Sequence, residues 1–485
     1  MKSDFFAGVA KTNITTACRE HVTDDLFGKV LVLKQDRTSV MIVSLDAVAI
    51  GGIEEIPDDF LDKFRGEVQK RFGIGPEHIL VAASHTHTAP PMLCSPEELL
   101  DRLLSAAEEA IGKMVPALAG SGKGEENRIQ MNRTLRMKEG IGWTMRYAHP
   151  CPPNEDVEDT GPVDPEIGIL KIENAETGKI MAVVFNYACH PLIGTGGLAS
   201  AKYPGYAANL IEESLGDNAV ALFIQGAGGN INEAGYKDFS FPYYMEFNGM
   251  LLGYGVLREL PNIKTAVPEL KMVRKEVVFP RRNDFDERIA VYEKERQALV
   301  DDLRFNALDI KSFLPLYMKY LMDPKYPNAF SYQYIQAGKN GDTHWKMLDE
   351  QNRNLVNCYL ENVRKMERIS KLDDDIGTSR RHQKINEDSG ESTIHGEVTG
   401  IRIGELAILG MPVEPMVEIG LKLKRESGFR DTMIAGFSNG YMHYGPTREY
   451  YALHSYDATE CFLAPEWLDV CMGNMGKIIK ELNTK

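Results

Sequence analysis

Two imidazoles stand two residues apart in this chain. His85 and His87 follow the apolar run Ile79–Ala83, and Pro90 and Pro91 then end any regular structure. In extended backbone, side chains at that spacing point to the same side, so one ion or one substrate could meet both. An isolated His-x-His is as much at home in an ordinary loop, so its weight depends on what joins it. His190 follows a second apolar run, Ile180–Tyr187, and precedes Pro191. Glu414 follows Glu405–Leu409 and Pro412, and Tyr441 and Tyr444 follow Thr432–Phe437. Strand after strand ends in a polar group beside Pro or Gly, the pattern of one site built at strand ends. The candidate metal ligands are therefore His85, His87, His190, Glu414 and Tyr444. Nitrogen and oxygen donors without thiolate suit Zn2+ in a catalytic site, which keeps a position for water. The competing view is purely structural, because strand-end histidines and a buried, paired glutamate are common in cores. Cys189 adjoins His190, but sequence neighbours on a strand face opposite ways, which argues against a Cys/His nucleophile pair.

The elements that must carry these groups alternate between strand and helix. Val30–Leu33 and Ser39–Leu45 read as buried strands, and residues 57–72 and 96–114 as amphipathic helices. The expected class is α/β (mixed α+β), a layered sheet-and-helix catalytic domain. Asp46, at a strand end, is a candidate to support the site, with a turn or cap role as the plainer alternative. A helix from Tyr203 to Leu215 and a strand from Ala219 to Ile224 lead to Gln225-Gly226-Ala227-Gly228-Gly229-Asn230. These glycines allow close backbone approach and could offer N–H groups to an anion, though the spacing is neither a Walker nor a Rossmann loop. Residues 281–395 read as a helical insertion. Ile289, Tyr292, Leu299 and Leu303 share one face there, as do Leu348, Leu355, Tyr359, Val363 and Met366. Asp373–Ser392 is charge-rich with Gly and Ser, and is expected to be a mobile surface loop.

Composition narrows the partners. The chain has 485 residues, 43% hydrophobic and 26% charged, with a net charge of −15, which offers no electrostatic footprint for nucleic acid or an anionic membrane. No run of 18 apolar residues occurs and the first residues lack a signal-peptide core, so a cytoplasmic protein without an integral membrane segment is expected. Seven scattered cysteines, Cys151 among them, without a Cys-x-x-Cys pair, suggest reduced thiols.

Taken in order, several stretches resemble the N-terminal catalytic domain of the neutral/alkaline non-lysosomal ceramidase family. They are Ser84-His85-Thr86-His87-Thr88-Ala89-Pro90, Asn132-Arg133, His190-Pro191, Pro204–Ala207, Gln225–Asn232, Pro412-Val413-Glu414 and Asn439–Thr447 with Glu449-Tyr450. The resemblance implies one Zn2+ held by His85, His190, Glu414 and Tyr444, with His87, Arg133 and Tyr456 acting on the substrate. On motif position alone it prefers Glu414 to Glu405 and Glu418, and Tyr444 to Tyr441. Two departures mark a divergent member. Gly226 stands where the family carries a Ser near the chemistry and Asn230 where it carries Asp, and the 485 residues leave no room for the family's C-terminal β-sandwich domain.

The resulting expectation is a single ceramidase-like domain over residues 1–485 with the insertion at 281–395, hydrolysing a linear amide of a small N-acyl compound by attack of a zinc-activated water. His87 would move the proton, and Arg133 and Tyr456 would stabilise the developing oxyanion. Two alternatives stand beside it: an amidohydrolase-type barrel, whose His-x-His also follows a strand, and a non-catalytic binding protein on the same scaffold.

Overall fold

The computed structural model describes residues 4–53, 55–87, 90–140, 142–144, 152, 154–194, 198–216, 218–234, 245–325, 332–453 and 455–484. Thr88, Ala89 and Cys151 lie outside them. The chain forms two compact units, one of residues 1–282 with 390–485 and one of residues 283–389.

Strand alternation builds the larger unit. β1 (Phe5–Asn13), β2 (Phe27–Gln35), β3 (Thr38–Leu45), β4 (Ile79–Ala83) and β5 (Val115–Glu125) join strands Glu166–Asn174, Ile180–Tyr187 and Val220–Gln225 in an eight-stranded sheet. Along β2 to β4, Val30, Val32, Met41, Val43, Ile79 and Val81 face helices α1 (Phe60–Phe72) and α2 (Pro96–Gly112), meeting Phe64, Val68, Leu99 and Leu103. The intervening Leu31, Leu33, Val40, Ile42 and Leu80 face the other way, onto Ile401, Ile403, Leu406, Ile408 and Met433 of a four-stranded sheet. A period of two therefore feeds two cores from the same strands. The second sheet, of strands Leu270–Pro280, Thr393–Ile403, Leu406–Gly410 and Asp431–Ala435, buries its far face against Trp467, Cys471, Met475 and Ile478 of the last helix. α3 (Lys202–Leu215) and α4 (Met245–Glu259) cover the remaining part of the first sheet through Tyr203, Ala207, Ile211, Leu252 and Val256. The layers run helix, sheet, sheet, helix, which is the mixed α/β class expected. Two layered sheets containing both parallel and antiparallel pairs rule out the barrel alternative.

Residues 283–389 interrupt a hairpin. Leu270–Pro280 and Thr393–Ile403 pair antiparallel from Leu270↔Ile403 to Pro280↔Thr393, so Thr393 to His395 are strand rather than insertion. Within the smaller unit, α5 (Phe285–Asp301), α6 (Ile310–Met322), α7 (Tyr332–Lys339) and α8 (His344–Ser389) surround a small core of Phe285, Ile289, Tyr292, Leu372 and Ile376. Leu303 lies past the end of α5, outside the face it was expected to share. Asp373–Ser392, expected as a loop, is helical through Ser389. Leu372, Ile376 and Ser379 keep a buried face at helical spacing, and the charges that suggested a loop find α5, through Arg296–Asp373 at 2.5 Å and Arg380–Glu293 at 2.5 Å.

Candidate functional site

The strands in parallel pairs aim their C-terminal ends at one place. β4 runs parallel to β3, Ile180–Tyr187 to Val220–Gln225, and Leu406–Gly410 to Asp431–Ala435. The chain leaving these strands carries His85, His190, the glycine-rich loop, Glu414, Tyr441 and Tyr444, the position at which open α/β sheets bind ligands. Short pairings join the exits: Ala82 bridges Ser438, His190 bridges Asn232, and Glu414 pairs with Tyr444. Each is a contact between segments remote in sequence.

Two of the histidines are oriented by backbone. His85 Nδ1 lies 2.8 Å from the Val48 carbonyl and His190 Nδ1 2.7 Å from that of Gly228. Carbonyls only accept, so each Nδ1 carries the proton and each Nε2 presents its lone pair. Burial holds the His85 imidazole well below its ordinary pKa, and burial with the Arg133 charge pulls His190 down to about 3. His190 Nε2 nevertheless faces Glu414 Oε2 at 3.0 Å, and His85 Nε2 lies 3.5 Å from the same oxygen. Two lone pairs on one carboxylate oxygen repel one another unless a cation sits between them. His87 Nε2 stands 2.8 Å from His85 Nε2, and His85, His87 and His190 bring ligand atoms within 4.8 Å of one another, a group that could hold a metal ion.

The other predicted residues arrive around this core. Tyr444 stacks on His190 with ring centroids 6.4 Å apart, and Tyr456 meets Tyr444 edge-on at 5.8 Å. The Arg133 guanidinium lies 5.2 Å from the Tyr444 ring and 5.5 Å from that of Tyr456. It donates to Asp457, and its Nη1 lies 3.4 Å from Asn232 Oδ1. Burial pulls the Arg133 pKa down, but Asp457 and Tyr444 outweigh it and keep the group charged. Its buried Nε has no hydrogen-bond partner among the described residues. For Tyr444, burial raises the phenol well above its ordinary range while Arg133 opposes.

Several participants were not singled out from sequence. Tyr441, set aside in favour of Tyr444, donates its hydroxyl to Glu414 Oε1. Asp457 neighbours Tyr456 and anchors Arg133. Lys202 donates to the His87 carbonyl and, at 3.3 Å, to that of Leu192. Glu233 accepts the N–H groups of Leu192 and Ile193 at 2.7 and 2.6 Å. Burial lowers Lys202 to about 8 and raises Glu233 to about 7. A signal was nonetheless present in the backbone: of seven non-glycine residues with positive φ among those described, His85, Lys202, Phe437, Asn439 and His443 cluster here.

The glycine-rich loop differs from expectation. The N–H groups of Gly226, Gly228 and Gly229 donate to Tyr187, Gly226 and Pro415 carbonyls, so they are spent on the loop itself and on the segments beside it rather than offered to an anion. A Cβ at Gly226 would stand 2.9 Å from Ala188 Cα, leaving no space for a serine side chain, and one at Gly229 would stand 2.7 Å from the Glu414 carbonyl oxygen. Asp46 takes neither a cap nor a turn role: its carboxylate accepts the N–H of Phe27, at the start of the neighbouring β2, at 2.9 Å, and burial pushes it up to about 6. Burial also keeps the Cys189 thiol protonated, contrary to a nucleophile's needs.

With the geometry in hand, the fold can be compared. Two solved structures superpose on 99% of this chain and 75% of their own: a neutral ceramidase from Pseudomonas aeruginosa at TM-score 0.64 and 16% identity, and a ceramidase described as complexed with C2 at TM-score 0.62 and 15% identity. No protein-family model matches the chain, and no curated protein matches it in sequence. At these identities the likeness is one of fold. Among the described residues no helix is long and apolar enough to cross a membrane.

Proposed function

We propose that this protein is a zinc-dependent hydrolase of linear amides, with Zn2+ held by His85, His190, Glu414 and Tyr444. The observation that carries the reading is the pair of unprotonated Nε2 atoms turned onto one Glu414 oxygen, an arrangement that calls for a cation and offers the nitrogen and oxygen donors zinc prefers. When bound, Zn2+ supplies Lewis acidity and lowers the pKa of a water toward about 7. With the His85 lone pair turned to the ion rather than to His87 Nε2, 2.8 Å away, His87 Nε2 would accept a proton from the attacking water and return it to the leaving amine. Arg133, kept charged by Asp457, and Tyr456 beside it donate to the acyl oxygen as negative charge develops there. Tyr441 orients Glu414 by holding its second oxygen.

The substrate is a small, polar N-acyl compound cleaved in solution. The support is Gly226: the hydroxyl found there in ceramidases is missing, packing against Ala188 leaves no room for one, and sites lacking a hydrogen-bonding group discriminate against substrates that need it. The test loads the protein with zinc, measures metal by elemental analysis, and assays detergent-dispersed long-chain ceramide beside a panel of short N-acyl amides and amino acids. One equivalent of zinc with turnover of a soluble amide is expected. Less than about half an equivalent overturns the metal reading, and ceramide turnover exceeding every soluble amide overturns the substrate.

A further inference from the structure

Lys202 is an improbable residue where it stands. Its side chain is among the largest that are fully buried, its backbone is left-handed at φ 51, and it opens α3, where the helix dipole is positive. Burial, backbone strain and the dipole each disfavour a lysine there. Its ammonium reaches two carbonyls, those of His87 and Leu192, which belong to the chain just beyond His85 and His190 respectively. The turn that delivers it is fixed from several sides. Asp24 accepts the Ala201 N–H at 2.8 Å, Ser200 Oγ accepts the Lys202 N–H at 2.9 Å, and Thr86 Oγ1 donates to the Ser200 carbonyl at 2.6 Å. Opposite, the buried Glu233 clamps the N–H groups of Leu192 and Ile193 and is itself held by Asn248 at 2.8 Å.

We infer that Lys202 is a positioning residue: by tying the His87 and Leu192 carbonyls together it sets the His87 imidazole against His85. Lysine suits the task because its ammonium donates in three directions from a slender stem, and carbonyls on two separate loops need a donor that spans them. The role rests on the reading of the site as an amide-hydrolysing metal centre, so its test reads the imidazole directly as well as the reaction.

The full chain is labelled at histidine 13Cε1, and the His87 resonance is assigned by its loss in His87→Gln. In Lys202→Met, which keeps an unbranched stem one atom shorter and has no donor, the His87 line is expected to shift or broaden while the His85 and His190 lines stay in place. Lys202→Arg restores it at least in part. On whichever N-acyl amide the native protein cleaves, Lys202→Met lowers kcat by about 10- to 100-fold, the scale for groups that orient others in such sites, with KM changed less than about threefold. An unaltered His87 line, equal displacement of all three lines, or a kcat unaffected in an active native protein overturns the inference. A Lys202→Met chain that does not fold overturns it too, by assigning the lysine to the scaffold. Should the native protein hold no zinc and cleave no amide, the functional reading falls while the His87 line still decides the role of Lys202.

Discussion

The strand-end site and the helical unit of residues 283–389 spend their polar groups in opposite ways. At the site, His85, His190, Glu414, Arg133, Asp457 and Lys202 are all buried, and their geometry is dictated by neighbours. In the helical unit many of the ion pairs are exposed, as with Arg368–Glu295 at 2.7 Å, and apolar side chains such as Ile310, Leu314 and Met322 stand in solvent. Burying charge is costly, and a protein sustains it where a fixed electrostatic environment is used. The contrast teaches where a substitution should alter chemistry and where it should alter almost nothing.

The strongest way to break the contrast is His85→Ala with His190→Ala. Losing two donors should lower zinc affinity by well over about 100-fold, read by elemental analysis after dialysis against a chelator, with the fold retained by circular dichroism. Full zinc retention would mean that the buried cluster is structural. Next is Tyr456→Phe, expected to keep its zinc and lose roughly 10²-fold in kcat, the scale of one oxyanion donor. Metal loss in that variant would move Tyr456 from the substrate to the ion. Tyr441→Phe sharpens the picture further: a group that only orients Glu414 should cost about 10-fold in zinc affinity. A far larger loss would make Tyr441, rather than Tyr444, the ligand.

Asp46 probes the same buried region through pH. Its folded pKa, about 6 against an ordinary 3.8, is raised, so the stabilisation from its protonated form is complete below about pH 4 and lost as pH rises through about 6. Asp46→Asn should therefore gain stability over native protein across that window and hold the gain above it, by up to about 3 kcal/mol at about 1.4 kcal/mol per unit. A gain independent of pH in denaturant melts would assign the effect to packing. The smallest effect belongs to the other region: Arg368→Ala should cost less than about 1 kcal/mol and leave metal content untouched. A loss of zinc there would end the distinction between the two regions.

Much of this was legible in sequence because it depended on local pattern. The Ile180–Tyr187 strand is found where periodicity places it, and α2 starts at Pro96, where its Ser95/Glu98 capping box begins. Convergence of the strand ends could be argued from recurrence alone. What was not legible depended on partners far along the chain. Asp457 pairs with Arg133 across 324 residues, and nothing local to either announces the other. Tyr441 and Tyr444 are three residues apart, and the left-handed turn through Asn439 and His443 decides which hydroxyl meets Glu414. The charges of Asp373–Ser392 look like those of a solvated loop until α5 supplies their counterparts. Nothing local to Lys202 announces its burial, because the carbonyls it reaches belong to His87 and Leu192.

The interrupted hairpin also bears on how the chain is made. A ribosome completes Leu270–Pro280, then the whole of 283–389, before Thr393–Ile403 emerges to pair with it. Because α5 and α8 find their partners within residues 283–389, the helices can pack during that wait, while the waiting strand is an open edge. Closing a loop costs more only with the logarithm of its length, so the delay adds little to the final free energy. Its burden is one of time, during which Leu270–Pro280 is exposed to the wrong partner.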